Sequence, residues 1–450
     1  MSKKLLNFIL ALIILLGPAS SLANTSLSPI AINPIAVPGP TGTFGSAFTI
    51  QNMSSSIANC SYQFFDVSGT AVYTTSLFQV AVNGNNFTYV PNIGSLANGQ
   101  YSGVVSCDQE VTAVVNTGSS NSGGSYAGII NTSTTWYAPN AFSNYYNYNT
   151  NFVIQNTTST PINVTLEIIN PSGIVVATQT ANNVPAYTYT NFEQAGLSNL
   201  NANIAYSAKI TGTGSLAVES NIYGSGSVNN ELYSYTPFTT GSTTIYVPSI
   251  MNNYYGYLTA LNVQNLGTSI AHVTVTYGTG LVQDQTIPVS SSYVFYTPNS
   301  GLPSGTLTSA KITSDQDIVA LVNEQNTYRR AASYGGFSTG SIKVSAPIVM
   351  KRYYNWNTSV TCQNVGLSST NMTITYSNGA TQTLNNIPVN GTGLFYQPNE
   401  IGLPNGFNGS ATITSSSQPI VCVVNEDQNE GTIATTSFDQ LFSYEGFPAP

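Results

Sequence analysis

One histidine in 450 residues, His272, restricts the available chemistry at once. It excludes a His-based catalytic triad or a multi-histidine metal site within one chain. The seventeen carboxylates are mostly isolated along the chain, so a hydrolytic pair would have to be assembled by the fold. One acidic cluster, Glu426, Asp427 and Glu430 with Asn425 and Asn429, offers oxygens of the kind calcium takes. Its spacing fits no EF-hand loop, and a solvated loop is the simpler reading. Lys209 and Lys311 hold the same strand position in successive repeats. Lys311, Asn323 and Glu324 are the trio to consider for a Lys–Asn isopeptide link, against the plainer reading of an exposed strand lysine. No catalytic, cofactor-binding or metal-ligating residue is assigned, and the chain reads as non-enzymatic.

Two other residue classes carry information. The four cysteines, Cys60, Cys107, Cys362 and Cys422, lack the short spacing of a zinc site and imply disulfides in an exported chain. Three connectivities are open; pairing within modules, with a bridge across a sandwich interior, is expected. The second class is tyrosine. Three segments, Tyr145-Tyr146-Asn147-Tyr148, Tyr254-Tyr255-Gly256-Tyr257 and Tyr353-Tyr354-Asn355-Trp356, place aromatic rings beside amides. They suit either stacking on sugar rings or packing of one module against the next, and their fixed distance from the module junctions favours packing.

Those segments belong to a repeat. A Tyr-x-x-Phe/Ile segment (Tyr126, Tyr235, Tyr334) is followed thirteen residues later by Pro139, Pro248 or Pro347. The tyrosine pair comes six residues on, and a Gln-Asn step (Gln155-Asn156, Gln264-Asn265, Gln363-Asn364) ten after the pair begins. Slack linkers drift in length because lengthening them costs little. Constant junctions predict packed neighbours in a recurring orientation, and hence an extended array. The expected organisation is residues 1–23 as a signal peptide, then modules at 24–132, 133–241, 242–340 and 341–450.

Within a module the strands show as alternation. His272-Val273-Thr274-Val275-Thr276-Tyr277 puts Val, Val and Tyr on one face, and Met372, Ile374 and Tyr376 repeat the pattern, as do Val164, Leu166 and Ile168. Turn residues follow at Ser68-Gly69, Gly173, Gly280 and Asn378-Gly379. A later strand ends in Val-Val-Asn or a relative (Val114-Val115-Asn116, Leu321-Val322-Asn323, Val423-Val424-Asn425), with module two reading Ala217-Val218-Glu219 in that place. No amphipathic helix is seen. The fold class expected is all-β: four tandem antiparallel β-sandwiches.

Val263-Gln264-Asn265-Leu266-Gly267, Val275-Thr276-Tyr277 and the stretch from Leu403-Pro404-Asn405-Gly406-Phe407 to Asn425-Glu426 resemble the tandem immunoglobulin-like modules of secreted prokaryotic surface and adhesin-type proteins. The resemblance covers nearly the whole mature chain and implies a sandwich scaffold without a reaction of its own.

Composition sets the setting. Lys3 and Lys4, an apolar run from Leu5 to Leu16, and small residues ending at Ala23 read as a cleaved secretory signal. No later run is long enough to span a bilayer. Charged residues are only 6% of the chain, and residues 24–132 contain no Lys or Arg, so phosphate-neutralising contact with nucleic acid is excluded. The expected function is a secreted structural or adhesive surface protein, a rod of four sandwiches joining head to tail into filaments or matrix. The alternative is a glycan-binding surface protein using the tyrosine segments. Partners are therefore a second copy, surface glycans or surface proteins, and no cofactor is expected.

Overall fold

The computed structural model describes residues 23–32, 44–228, 230–428 and 438–449. The signal segment up to Leu22, Asn429 and Glu430 lie outside the described residues. Antiparallel strands dominate, and no α-helix occurs among the described residues. In module four the two layers separate cleanly. One sheet orders Thr381–Ile387, Thr370–Tyr376, Phe407–Ser415, Lys343–Lys351 and Phe447–Pro448; the other orders Thr392–Tyr396, Trp356–Asn364, Ile420–Gln428 and Leu441–Glu445. In modules two and three the long strands Ser207–Gly224 and Thr306–Asn326 run from one layer into the other.

The alternation read from sequence holds: Val273, Val275 and Tyr277 are buried, and His272 is exposed. Modules three and four also close on themselves through their last strands. The phenol of Tyr334 donates to the Ser249 carbonyl at 2.5 Å and accepts from the Ser249 amide at 3.2 Å. Tyr444 makes the same pair of bonds with Ile348, at 2.6 and 3.0 Å. Both targets lie where the first strand's register shifts, immediately after Pro248 and Pro347, which supply no ladder N–H. In modules three and four the recurrent Tyr and Pro are thus two halves of a clamp; in module two the Tyr235 hydroxyl is buried without such a bond.

Both disulfides form within modules, as Cys60–Cys107 and Cys362–Cys422. They do not cross the sandwich. Each joins directly opposed residues on neighbouring strands of one sheet, with Cα atoms 4.1 and 4.0 Å apart. Such close antiparallel pairs bring two Cβ atoms near enough for a bridge without bending either strand.

The extended array is corrected by the contacts between modules. Ser102 Oγ of module one donates to the Tyr187 carbonyl of module two, and Ser207 of module two to Ser290 of module three. Ser309 of module three donates to Asn390 of module four, and Ser410 of module four donates back to Asn83 of module one. The four acceptors are equivalent turn residues with φ of 61°, 61°, 57° and 55°. One interface is therefore repeated four times, and the fourth copy returns to the start. A heterologous contact makes a filament when its rotation does not close and a ring when it does; here it closes. The junctions are constant in length, as read, because the pose recurs, but the recurring pose turns the chain back on itself. The extended rod gives way to this closed arrangement. Phe447, near the C-terminus, pairs with Ser345 of its own module, as Phe238 and Phe337 bridge to Tyr137 and Tyr246.

The final strands of the modules, Gly123–Ala127, Leu232–Tyr235, Ala331–Gly335 and Leu441–Glu445, meet along the middle of this ring. Small residues permit the approach. A Cβ on Gly123 would lie 2.2 Å from the Phe442 ring, and one on Gly124 would lie 2.4 Å from Ser234 Oγ. Strand register shows that Asn116, Asn221, Asn323 and Asn425 are equivalent, opposite Ser125, Ser234, Ser333 and Ser443. Module two therefore does carry the asparagine; Glu219 stands two residues before it.

Candidate functional site

Each tyrosine pair sits on a two-residue hairpin turn closed by the pairs Tyr145–Tyr148, Tyr254–Tyr257 and Tyr353–Trp356. Both central residues have positive φ: 49° and 72° at Tyr146-Asn147, 49° and 83° at Tyr255-Gly256, 48° and 68° at Tyr354-Asn355. That is the type I′ geometry matching the twist of paired strands. Asn and Gly accept it readily; a tyrosine does so at a steric cost.

The two tyrosines of a pair have different fates. Tyr145, Tyr254 and Tyr353 are half-buried, and Tyr145 stacks on Phe142 with ring centres 4.5 Å apart. Tyr146, Tyr255 and Tyr354 are 65%, 85% and 77% exposed. Each exposed ring meets its partner edge-on at 4.9, 4.8 and 4.7 Å, which holds it upright on the turn. The junction-packing expectation is therefore corrected for these three rings. It holds better for the fourth residue in two turns: Tyr148 donates to Glu231 and contacts Gln325 of module three, and Tyr257 donates to Asp427 of module four at 2.8 Å, whereas Trp356 stacks on Phe442 of its own module.

Polar groups from a second loop stand beside each turn. Asn203 Oδ1 accepts from the Tyr146 amide at 2.9 Å, Asn253 Nδ2 donates to Ser304 Oγ at 2.7 Å, and Arg352 Nη1 donates to Asn405 Oδ1 at 3.1 Å. Asn144, Asn253 and Arg352 are equivalent residues, all at positive φ just before the tyrosine pair. The tips are also tied to their module's inner hairpin. Ser225 N–H donates to the Asn147 carbonyl at 2.8 Å, and Gln428 Nε2 to the Tyr354 carbonyl at 3.0 Å.

Those inner hairpins converge on Asp439. Its carboxylate accepts from the amides of Leu232 of module two, at 2.7 Å, and Ala331 of module three, at 2.8 Å. Its own amide donates to the Asn121 carbonyl of module one at 2.9 Å. One fully buried side chain thus pins the ring at the end that bears the tyrosine tips. Burial pushes its carboxyl well above the ordinary range, against the three amide bonds that favour the charged form.

The other acidic residues also moved. Glu426 is buried rather than in a solvated loop, and its Oε2 accepts from Asn116 Nδ2 of module one at 3.1 Å. Asp427 pairs with Arg330, and Glu231 with Arg329 at 3.2 Å. Glu324 accepts from Asn425 Nδ2 of module four at 2.7 Å and from Ser249 Oγ at 3.0 Å. Burial raises Glu324 to about 7 and Glu219 and Glu426 to about 8. The isopeptide trio is not assembled: Lys311 lies opposite Thr276 and Tyr246, with its Nζ over the Tyr246 ring, whereas Asn323 bonds Ser333 on another strand.

Sequence reasoning found the tyrosines and missed Asn203, Ser304 and Asn405, although each stands two to four residues before a strand, in a Gly- or Asn-marked turn. It also missed Asp439, whose role depends on three other modules.

No protein-family model matches this chain, and no curated protein does. Among solved structures, the chain is similar to Thermotoga maritima 1070, at 17% identity over 22% of this chain and 94% of that one, with a TM-score of 0.20. It is also similar to the Anabaena sensory rhodopsin transducer, at 19% identity over 18% of this chain and 92% of that one, with a TM-score of 0.15. At these scores neither likeness bears on what the chain does.

Proposed function

We propose that this is an exported, non-enzymatic binding protein that adheres to surface glycans through the tips bearing Tyr146, Tyr255 and Tyr354, on a scaffold of immunoglobulin-like modules. The observation that carries the reading is the exposure of three equivalent tyrosines on turns that glycine or asparagine would occupy at less cost. Strain held at an exposed position for no more than an edge-on contact with the adjoining ring points to recognition. The C–H face of a pyranose is apolar and lies against an aromatic face, while amides and hydroxyls beside it take the sugar hydroxyls. Each tip offers both. The low charge and the two disulfides fit work outside the cell.

The test is a glycan array probed with the intact protein and with Tyr146→Ala, Tyr255→Ala and Tyr354→Ala combined. Loss of binding with an unchanged melting temperature supports the reading. Unchanged binding ends it.

A further inference from the structure

We infer that the three tips act together on one repetitive, uncharged polysaccharide, and that a short oligosaccharide is a poor ligand; this rests on the glycan reading above. Three observations lead there. The tips are equivalent in conformation, so each presents the same ring in the same way. They belong to different modules but stand around one end of the ring, because the inner hairpins that hold them converge on Asp439. Two of them, in modules two and four, are also held in place. Hydrogen bonds from neighbouring loops fix the turns at Tyr146, Asn147 and Tyr354 before any ligand arrives, so little ordering entropy is lost on binding.

Spacing decides between a short and a long ligand. The module-two turn reaches Gln325 beside the module-three turn through Tyr148, and the module-three turn reaches Asp427 beside the module-four turn through Tyr257, so neighbouring tips stand about one module apart, on the order of 20 Å. A trisaccharide does not bridge that gap, and a polymer does. A single exposed ring with a few amides makes a weak site. Once one tip is engaged, the next binds intramolecularly, and linked sites gain on the order of 10²–10⁴ over one site alone. The chemistry around the rings sets the ligand class. The tips of modules two and three are flanked by Asn144, Asn203, Asn253 and Ser304, none of them charged, and at the module-four tip Arg352 donates to Asn405, which leaves neutral hexoses the class common to all three.

The experiment compares soluble glucan, mannan and galactan with the corresponding trisaccharides, by calorimetry, on the full mature chain and on Tyr255→Ala. The expected result is that one polymer binds at least a hundredfold more tightly than its trisaccharide. Tyr255→Ala should then weaken the polymer at least tenfold, while merely lowering trisaccharide stoichiometry from about three to about two. If polymer and trisaccharide bind alike per sugar unit, and Tyr255→Ala removes one third of the capacity for both, the tips act independently; the inference falls and the glycan reading stands. If the triple variant binds every probe as the parent does, or the parent binds none, both fall. A melting curve of Tyr255→Ala that overlays the parent's is required for the tenfold loss to count as lost contact, and a lower one overturns the assignment of Tyr255 to recognition.

Discussion

The seam between modules three and four and the seam between modules one and two share one backbone interface but differ at a single inserted residue. At the first, Val423 of module four enters the apolar core of module three. The equivalent Val114 of module one enters the core of module four, and Leu321 of module three packs into the cluster beneath the second inner hairpin. At the seam of modules one and two the same position is Glu219, 5% exposed, within electrostatic reach of Tyr126. Module one has no Lys or Arg to answer it. The seams of module three, by contrast, hold both ion pairs, Arg329–Glu231 and Arg330–Asp427. The difference teaches that backbone closure fixes the ring, while side chains make its joints unequal.

The Gln residues of the Gln-Asn steps divide differently, with the exception at the seam of modules four and one. Gln264 and Gln363 donate to carbonyls of the preceding module, Ala208 at 3.3 Å and Ala310 at 3.2 Å. Gln51, their counterpart in module one, has both amide atoms buried without a protein partner. The adjoining asparagines do the same job in all four modules: Asn52, Asn156, Asn265 and Asn364 each donate to the carbonyl four residues on and to one at the end of a later strand, Val80, Val184, Ile287 or Ile387.

The most disruptive change should be Val423→Glu, which copies the weak joint into the strong one. Held neutral there, the acid loses the apolar burial of Val423, about 1.5–3 kcal/mol, and leaves a buried polar group unmet, about 1–3 kcal/mol; urea unfolding should show it as a lowered midpoint, and an unchanged midpoint would mean the joint tolerates an acid anywhere. Next in size, Asp439→Ala strands the Leu232 and Ala331 amides. Each unmet buried donor costs about 1–3 kcal/mol, and limited proteolysis should then cut between modules.

The reverse exchange, Glu219→Leu, should stabilise the protein by about 1–4 kcal/mol at neutral pH, because an apolar residue of similar volume replaces a buried acid. A loss of stability there would show that Glu219 is satisfied where it stands. The pH dependence follows from the same groups. Glu219 and Glu426 have folded values near 8, above the ordinary 4.5, so between those limits the native state holds more protons than the unfolded chain. Their contribution is complete below about pH 4.5, declines as pH rises, and is gone above about 8. Melting temperature should therefore fall from acid to neutral pH, and Glu219→Leu or Glu426→Gln should each flatten the slope. The smallest effect is expected from Ser410→Ala and Ser207→Ala, about 1 kcal/mol each. Similar losses would confirm that backbone closure is equivalent around the ring; a loss confined to Ser207→Ala would mean modules four and one part in solution.

Much of the local structure was legible because it depends on neighbours in sequence. The alternation at Val273-Val275-Tyr277, the positive-φ glycines and the aromatic hairpins each express a rule of one strand or one turn. The tyrosines were found for the same reason, but the sequence did not separate the exposed rings from the half-buried ones. Type I′ geometry turns Tyr146, Tyr255 and Tyr354 outward while their neighbours pack, and spacing to a junction cannot distinguish the two. The disulfides show a similar limit: pairing followed from the modules, but whether a bridge joins opposed strands or opposed sheets depends on register.

By itself the sequence determined a chain of four similar β units with recurring joints, since strand periodicity, turn residues and junction length are all properties of adjacent residues. Only the tertiary structure decided that those joints close into a ring, because closure is the sum of four rotations and no single joint contains it. The same sum brought Asp439, Glu219 and Glu426 into seams where water is excluded, and there an ordinary carboxylate takes up its proton.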